Sequence, residues 1–420
     1  MRRQAVLLLC IASMSCTSLP CPALFGVRQD QTPKTPLVAT YLENGEYLAG
    51  LKALQAALQK EPNNDQHRFG LGMLQMLHAT DQLMQQLYDY GFGTPTSRLA
   101  GDLTPLSRIM PLNPNPKKLS YSQLRQIIQN WLEGIQQAEA TLAGIKDVNV
   151  KLPLQVEKIL LPMGHGKSQP LPLGKILQDM GIIDAHAPAM LIVFDRGDVS
   201  WARGYLHLLM FFGDVALAHD AQDLFDCAGH LFFPNIETPH AFLLKQRAGE
   251  GIQGIMSDWT IIADVVAMIH QMRFPLKEPI RMRSALNHLE QCMQLSRETW
   301  KYVLAETDDD HEWIPNPKQT GVLRIKITSE MVNSWNLFLS EMDGILAGKK
   351  LIPFWRDADG MGINLRKVFI EPRTFDLVLW VQGTAATPYL EKGTVTNSET
   401  WAQLQRVFQG NFIGFAFWFN

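Results

Sequence analysis

His219, Asp223, Asp226 and His230 recur at steps of four, three and four, so one continuous helix would carry them all on one face. Imidazole and carboxylate groups a helical turn apart can chelate a divalent cation when another element supplies further ligands. The row runs about 16 Å along a helix, so no single ion could take the whole set. The competing reading, a polar face held by His–Asp pairs, is favoured. Upstream, Arg203, His207 and Asp214 fall within about 40° on the helical wheel, in the apolar half of the same segment. Buried charges have to be paired. As chemistry, the trio is the polar floor of a pocket with His207 as acid or base. As architecture, it is a satisfied network that fixes helix packing, and this reading is favoured.

Other patterns lack the context their chemistry needs. Gly249-Glu250-Gly251-Ile252-Gln253-Gly254 spells a GxGxxG opening a helix, but Lys245, Gln246 and Arg247 stand where a strand should precede it. Asp357, Asp359 and Gly362 match the start of a calcium loop, yet Val368 occupies the position of its bidentate Glu. The acidic run 308–312 reads as a solvated loop. Motifs of the P-loop, HExxH and GxSxG types are absent. No cofactor is expected, a divalent metal on the His/Asp row being the one exception.

The element that must position both groups is residues 199–233. Trp201, Tyr205, Leu208, Phe212 and Val215 follow helix spacing, and residues 205–218 are interrupted only by His207, Gly213 and Asp214. So apolar a helix belongs inside a core, and the run is too short for the roughly 20 residues of a membrane span. Asp198 is its expected N-cap. Helices are also predicted over 120–142, 251–272, 280–304 and 330–346, and extended segments over 148–156, 323–327, 375–381 and 412–419.

A chain of 420 residues, 46% hydrophobic and 19% charged, is globular and long enough for two or three domains. A net charge of −3 gives nucleic acid no reason to bind. Arg2 and Arg3, the apolar run 5–11 and Ala23 have the order of a secretory signal. The chain is therefore expected to be exported, periplasmic or envelope-associated, and a lipid-modified Cys16 or Cys21 is the one route to a membrane. Beyond the signal only Cys227 and Cys292 remain, either as a disulfide or as two buried thiols.

Residues 44–64, with Gly45, Tyr47, Ala49, Ala53, Ala56, Ala57 and Pro62, resemble the second helix of a tetratricopeptide repeat. Residues 65–89, with Leu71, Gly72 and Leu74, resemble the first helix of the next. The resemblance implies a scaffold that binds other proteins; the alternative is a hairpin capping the main core. His219-Asp220 is similar to the dipeptide of metal-dependent HD phosphohydrolases, which need further ligands on other helices. The stretches LSYSQLRQIIQNWLEGIQQAEATLAGIKDVNVKLPL, DRGDVSWARGYLHLLMFF and GNFIGFAFWFN resemble a family of exported bacterial proteins of unassigned function, which implies no activity and no catalytic residues.

The expected fold is mainly α: a multi-helix core with an N-terminal repeat-like hairpin and a small C-terminal α+β segment. Its parts are a signal peptide (1–23), tether and hairpin (24–116), a central helical domain (117–310) and the α+β segment (311–420). The expected function is binding or assembly, non-catalytic, with a protein partner. The alternative is a metal-dependent hydrolase using the His and Asp residues of the central helix.

Overall fold

The computed structural model describes residues 35–92, 112–162, 170–179, 190–245, 252–323, 326–356, 360–410 and 412–419. The expected signal peptide, most of the expected tether, Asp357, Asp359 and much of the GxGxxG stretch lie outside the described residues. The chain is mainly helical, with small sheets.

A short α1 (Leu37–Asn44) and α2 (Tyr47–Lys60) lie on α3 (Asp65–Asp89), which lies on α4 (Tyr121–Ala143). Asn64 caps α3 by accepting from the His67 amide, and Ser120 with Gln123 forms a capping box on α4. The hairpin turns its apolar side inward. Tyr47 and Leu54 are buried, while Leu48 is exposed on α2. The first strands, β1 (Leu152–Gln155) and β4 (Leu191–Phe194), pair antiparallel; between them lie β2 (Leu160–Leu161), β3 (Leu171–Pro172) and α5 (Leu173–Asp179).

β4 leads straight into α6 (Arg196–Ala218), the buried rod at the centre. The cap is Asp195, not Asp198: Asp195 accepts from the Gly197 and Asp198 amides, and Asp198 accepts from the Asp195 amide, closing a capping box. Of the α6 side chains only Ala216 is exposed. α4 and α9 (Pro279–Ala305) both pack on α6, and Arg281 of α9 donates to Gln129 of α4 at 2.6 Å. At the α4 crossing, a Cβ on Gly213 would sit 2.9 Å from Leu132 Cγ, so glycine sets how closely the two helices approach.

The rod does not continue to residue 233. It ends at Ala218, and His219 turns extended to form an antiparallel bridge with Leu276. The chain can leave the helix because its terminal carbonyls find partners elsewhere. Arg125 donates to the carbonyls of Leu217 and His219, and the amides of Lys277 and Glu278 donate to that of Ala218. A separate α7 (Gln222–Ala228) follows, then α8 (Ile252–His270) and β5 (Arg273–Phe274).

Beyond α9, α10 (Ser329–Leu346) packs on it and α13 (Ser398–Val407) packs on α10. The C-terminal strands β6 (Ile352–Pro353), β7 (Met361–Ile363) and β9 (Leu390–Lys392) form an antiparallel three-stranded sheet beside α11 (Leu365–Ile370). Two expected strands are overturned, and a third, 323–327, lies partly outside the described residues. Of 375–381 only β8 (Phe375–Asp376) is extended, since Asp376 caps α12 (Leu377–Gln382) by accepting from the Leu379 amide. The aromatic finish is α14 (Phe412–Phe419), which inserts Phe412 and Phe415 against Trp335. Lys326 and Ile327 take no strand. The main core cluster runs from Val38 on α1 through Ile135, Leu206 and Trp300 to Phe415, beside two smaller ones, around Leu87 and Phe225 and around Ile363 and Tyr389. Cys227 and Cys292 are both free thiols.

Candidate functional site

Arg203, His207 and Asp214 are brought together, and their partners come from α4 and α9. Arg203 donates to Glu139 Oε1 at 2.9 Å, and His207 Nε2 lies 3.5 Å from the same oxygen. The other nitrogen of His207, Nδ1, meets His288 Nδ1 at 2.8 Å. His288 Nε2 lies 3.7 Å from Asp214 Oδ2, and Asp214 Oδ1 accepts from Arg281 at 2.9 Å. Arg281 goes on to Glu278 Oε2 at 2.6 Å, and Arg125 reaches Glu278 Oε1 at 2.6 Å. The result is a continuous chain of ion pairs and imidazoles that links α4, α6 and α9.

Two imidazoles that share a short Nδ1–Nδ1 contact need one donor and one acceptor between them. Burial and the neighbouring His207 push the His288 pKa down, against Asp214 and Glu139. Burial raises the Glu139 carboxyl, but the His207 and Arg203 hydrogen bonds and charges outweigh it and hold the group below its ordinary value. Each ring thus has both nitrogens facing a partner, and neither offers a nucleophilic or basic nitrogen to an incoming molecule.

The outer end of the chain opens on a cleft of about 630 Å³ lined by Tyr121, Arg125, Lys277, Glu278 and Arg281. Its cations are engaged. Glu278 takes Arg125 and Arg281 on its two oxygens, and Lys277 reaches Asp220 at 3.0 Å. A polar cleft whose charges are already matched has little attraction left for an ion.

The row His219, Asp223, Asp226 and His230 is taken apart by the break after α6. His219 turns its Nδ1 to the Val215 carbonyl at 2.8 Å. Asp223 stands exposed in the first turn of α7, where a carboxylate suits the helix dipole. Asp226 accepts from Gln222 at 2.8 Å, and His230, past the end of α7, reaches Asp264 of α8 at 3.3 Å. Only His230 ties one element to another, and the four groups do not converge on one point.

A different set does converge. Asp195 at the start of α6, Glu306 at the end of α9 and Glu312 in the following loop bring carboxylate oxygens within 4.8 Å of one another. Glu312 is buried, against the expectation of a solvated 308–312 loop, because the loop folds back beside β4, where the Val193 amide donates to the His311 carbonyl. Burial, then the charge of Asp195 and a hydrogen bond with it, push Glu306 up to about 10. Burial above all raises Glu312 to about 7 and lifts the buried Asp198 well above the carboxylate range. At neutral pH a shared proton on Glu306 offsets the repulsion; a hard divalent cation is the other species able to do so.

The least expected feature is on the outside. Along α8, Trp259, Ile262, Val266 and Ile269 are 63%, 52%, 60% and 44% exposed. They fall within about 80° of one another on the wheel, so they form one stripe. On the neighbouring α12, Val378, Leu379 and Val381 are exposed too, and exposed Trp355 donates to the Val381 carbonyl beside them.

No family model, curated protein or solved structure matches this chain. Its function has to be read from its own surfaces. The polar chain, the cleft and the former metal row are internally matched, whereas α8 and the neighbouring α12 each expose large apolar side chains to solvent.

Two signals for these groups stand in the sequence. Arg281 and His288 share the buried stripe of α9 with Ala285 and Cys292, at steps of four, three and four. The residues Trp259, Ile262, Val266 and Ile269 are spaced three, four and three, one helical face, but Ile261, Val265 and Met268 repeat that rhythm on another face, so spacing alone does not tell which is exposed.

Proposed function

We propose that this protein is a binding or assembly protein that docks another protein through the apolar face of α8 and α12. The observation behind this reading is the exposed stripe Trp259–Ile262–Val266–Ile269. Seven large apolar side chains on the two helices each leave on the order of 100 Å² in water, which approaches the ~800 Å² per partner of a standard stable interface. The buried charges of α4, α6 and α9 then serve architecture. The proposed setting is outside the cytoplasm, on the strength of Arg2, Arg3, the apolar run 5–11 and Ala23. Mass analysis of the chain from its native cells is expected to show residues 1–23 removed; an intact N-terminus contradicts export by this signal.

The test of docking is a photo-cross-linking residue placed at position 262 and, as a control, at exposed Gln55 of α2. Position 262 is expected to give a protein adduct in the cells that make the chain, and position 55 none. Equal yields, or none at 262, contradict the reading.

A second reading, a metal-dependent hydrolase, has the convergence of Asp195, Glu306 and Glu312 in its favour. An all-oxygen donor set suits Mg²⁺, Mn²⁺ or Ca²⁺. It predicts stoichiometric metal in the purified chain and a lower melting temperature after chelation. Metal-free protein with unchanged melting removes it.

A further inference from the structure

We infer that His207 of α6 and His288 of α9 form an acid-sensitive latch, which holds the two helices together at neutral pH and releases the first half of α9 in acid. The four ring nitrogens fix how many protons the pair can hold. His207 Nε2 lies 3.5 Å from Glu139 Oε1, and His288 Nε2 lies 3.7 Å from Asp214 Oδ2. An ionised carboxylate only accepts, so each of these nitrogens is assigned a hydrogen. The two Nδ1 atoms stand 2.8 Å apart, a distance that needs one hydrogen between them and has no room for two. The closed pair therefore holds three protons, one short of two full imidazolium rings.

A fourth proton has no place while the helices stay packed. It sets two N–H groups point to point and adds a positive charge to a site nearly closed to water. His207 is 9% exposed, and α6 and α9 bury Leu206, Met210, Ala285 and Leu286 in the same core. The surrounding charges do not relieve it. Glu139 of α4 and Asp214 of α6 favour charged rings, but Arg203 and Arg281 already match them. The net effect on His288, through burial and the charge of His207, is a lowered pKa. Tyr205 and Cys292 are close along the same two helices; burial raises both, so neither changes charge in acid. On α10 and α11, which also pack on α9, Glu341 engages Lys350, Asp343 engages Arg297, Arg366 engages Glu290 and Lys367 engages Glu391.

An opened pair takes the fourth proton below about 6.5, the ordinary imidazole value, whereas the closed pair refuses it. The open state then binds more protons, so opening becomes easier as pH falls, by up to about tenfold per pH unit for one proton. Glu306 and Glu312 have the opposite sign in this range, because raised carboxyls stabilise the fold in acid. They stand at and beyond the far end of α9, so a local measurement separates the two effects.

The experiment is hydrogen exchange of the full chain, read by peptide mass and corrected for the intrinsic pH dependence of amide exchange. Between about pH 7.5 and about pH 5.5, the opening constant of residues 280–292 is expected to rise about tenfold, while that of residues 296–305 does not rise. In His288→Asn, whose amide can donate or accept but does not titrate, the rise is expected to vanish. Equal opening of residues 280–292 at the two pH values in the wild-type chain overturns the inference, and so does a rise of the same size in His288→Asn. Should that variant fail to fold, His207→Asn tests the latch from α6 with the same expectation. If neither folds, nitrogen-labelled histidine spectra of the wild-type chain decide: a proton coupled to two ring nitrogens upholds the latch, and two independently titrating rings remove it.

Discussion

Asp214 answers two groups at once, Arg281 at 2.9 Å and His288 at 3.7 Å, and is itself buried. Removing one member of such a set strands the rest in the core. Asp214→Ala is therefore expected to lower stability by about 3 kcal/mol, read as a drop in denaturation midpoint at constant slope. A loss below about 0.5 kcal/mol would show that the chain of charges is dispensable. The acidic cluster predicts pH dependence. A carboxyl whose folded pKa exceeds its unfolded value contributes stability that is complete below the unfolded pKa and is lost as pH rises through the folded one. For Glu312 that loss begins above the ordinary carboxylate range and is complete near 7, and for Glu306 it continues to about 10. Glu139 and Asp65 have the opposite sign: their carboxyls are held low, and their contribution is lost as pH falls. The melting temperature should thus fall on both sides of a maximum, with Glu306→Gln flattening the alkaline side. A wild-type melting temperature that climbs between pH 7 and 10 contradicts this assignment. Arg203, His207 and Asp214 were legible in the sequence because three polar residues on the apolar half of one wheel must be paired. Glu139, Arg281 and His288 were not, because the pairing is tertiary and no spacing within one helix encodes it.

At the scale of elements, glycine decides how α4 and α6 meet. A side chain at 213 would overlap Leu132, which is itself buried, so Gly213→Val is expected to cost about 1–3 kcal/mol by overpacking. Thermal melting checks it, and an unchanged melting temperature would mean that the crossing relaxes freely. The main helices were readable because their apolar stripes are long, as in α4 with Ile127, Leu132 and Ile135. The break after Ala218 was hidden. Residues 219–233 continue the helical rhythm, but the competing bridge to Leu276 and the capping by Arg125 come from segments remote in sequence. The error at 412–419 has another cause. A run of aromatic and small residues has β propensity, and what makes it helical is the contact of Phe412 and Phe415 with Trp335 and Phe408. At 375–381, a single cap by Asp376 turns an apparent strand into α12.

For the whole molecule, one core runs from the N-terminal hairpin to the aromatic finish, and the charges of Arg203, Glu139, Asp214 and Arg281 are matched inside it. Unmatched apolar area lies outside, on α8 and α12. None of the described helices is long and apolar enough to cross a membrane. Interior and surface should therefore separate cleanly in one measurement: the yield of the photo-adduct from position 259, taken in chains that also carry Asp214→Asn or Val266→Asp. The account predicts that Asp214→Asn lowers the melting temperature and leaves the adduct, while Val266→Asp leaves the melting temperature of the single chain and abolishes the adduct. An adduct that survives Val266→Asp but disappears with Asp214→Asn would place the working site in the polar interior and contradict the account.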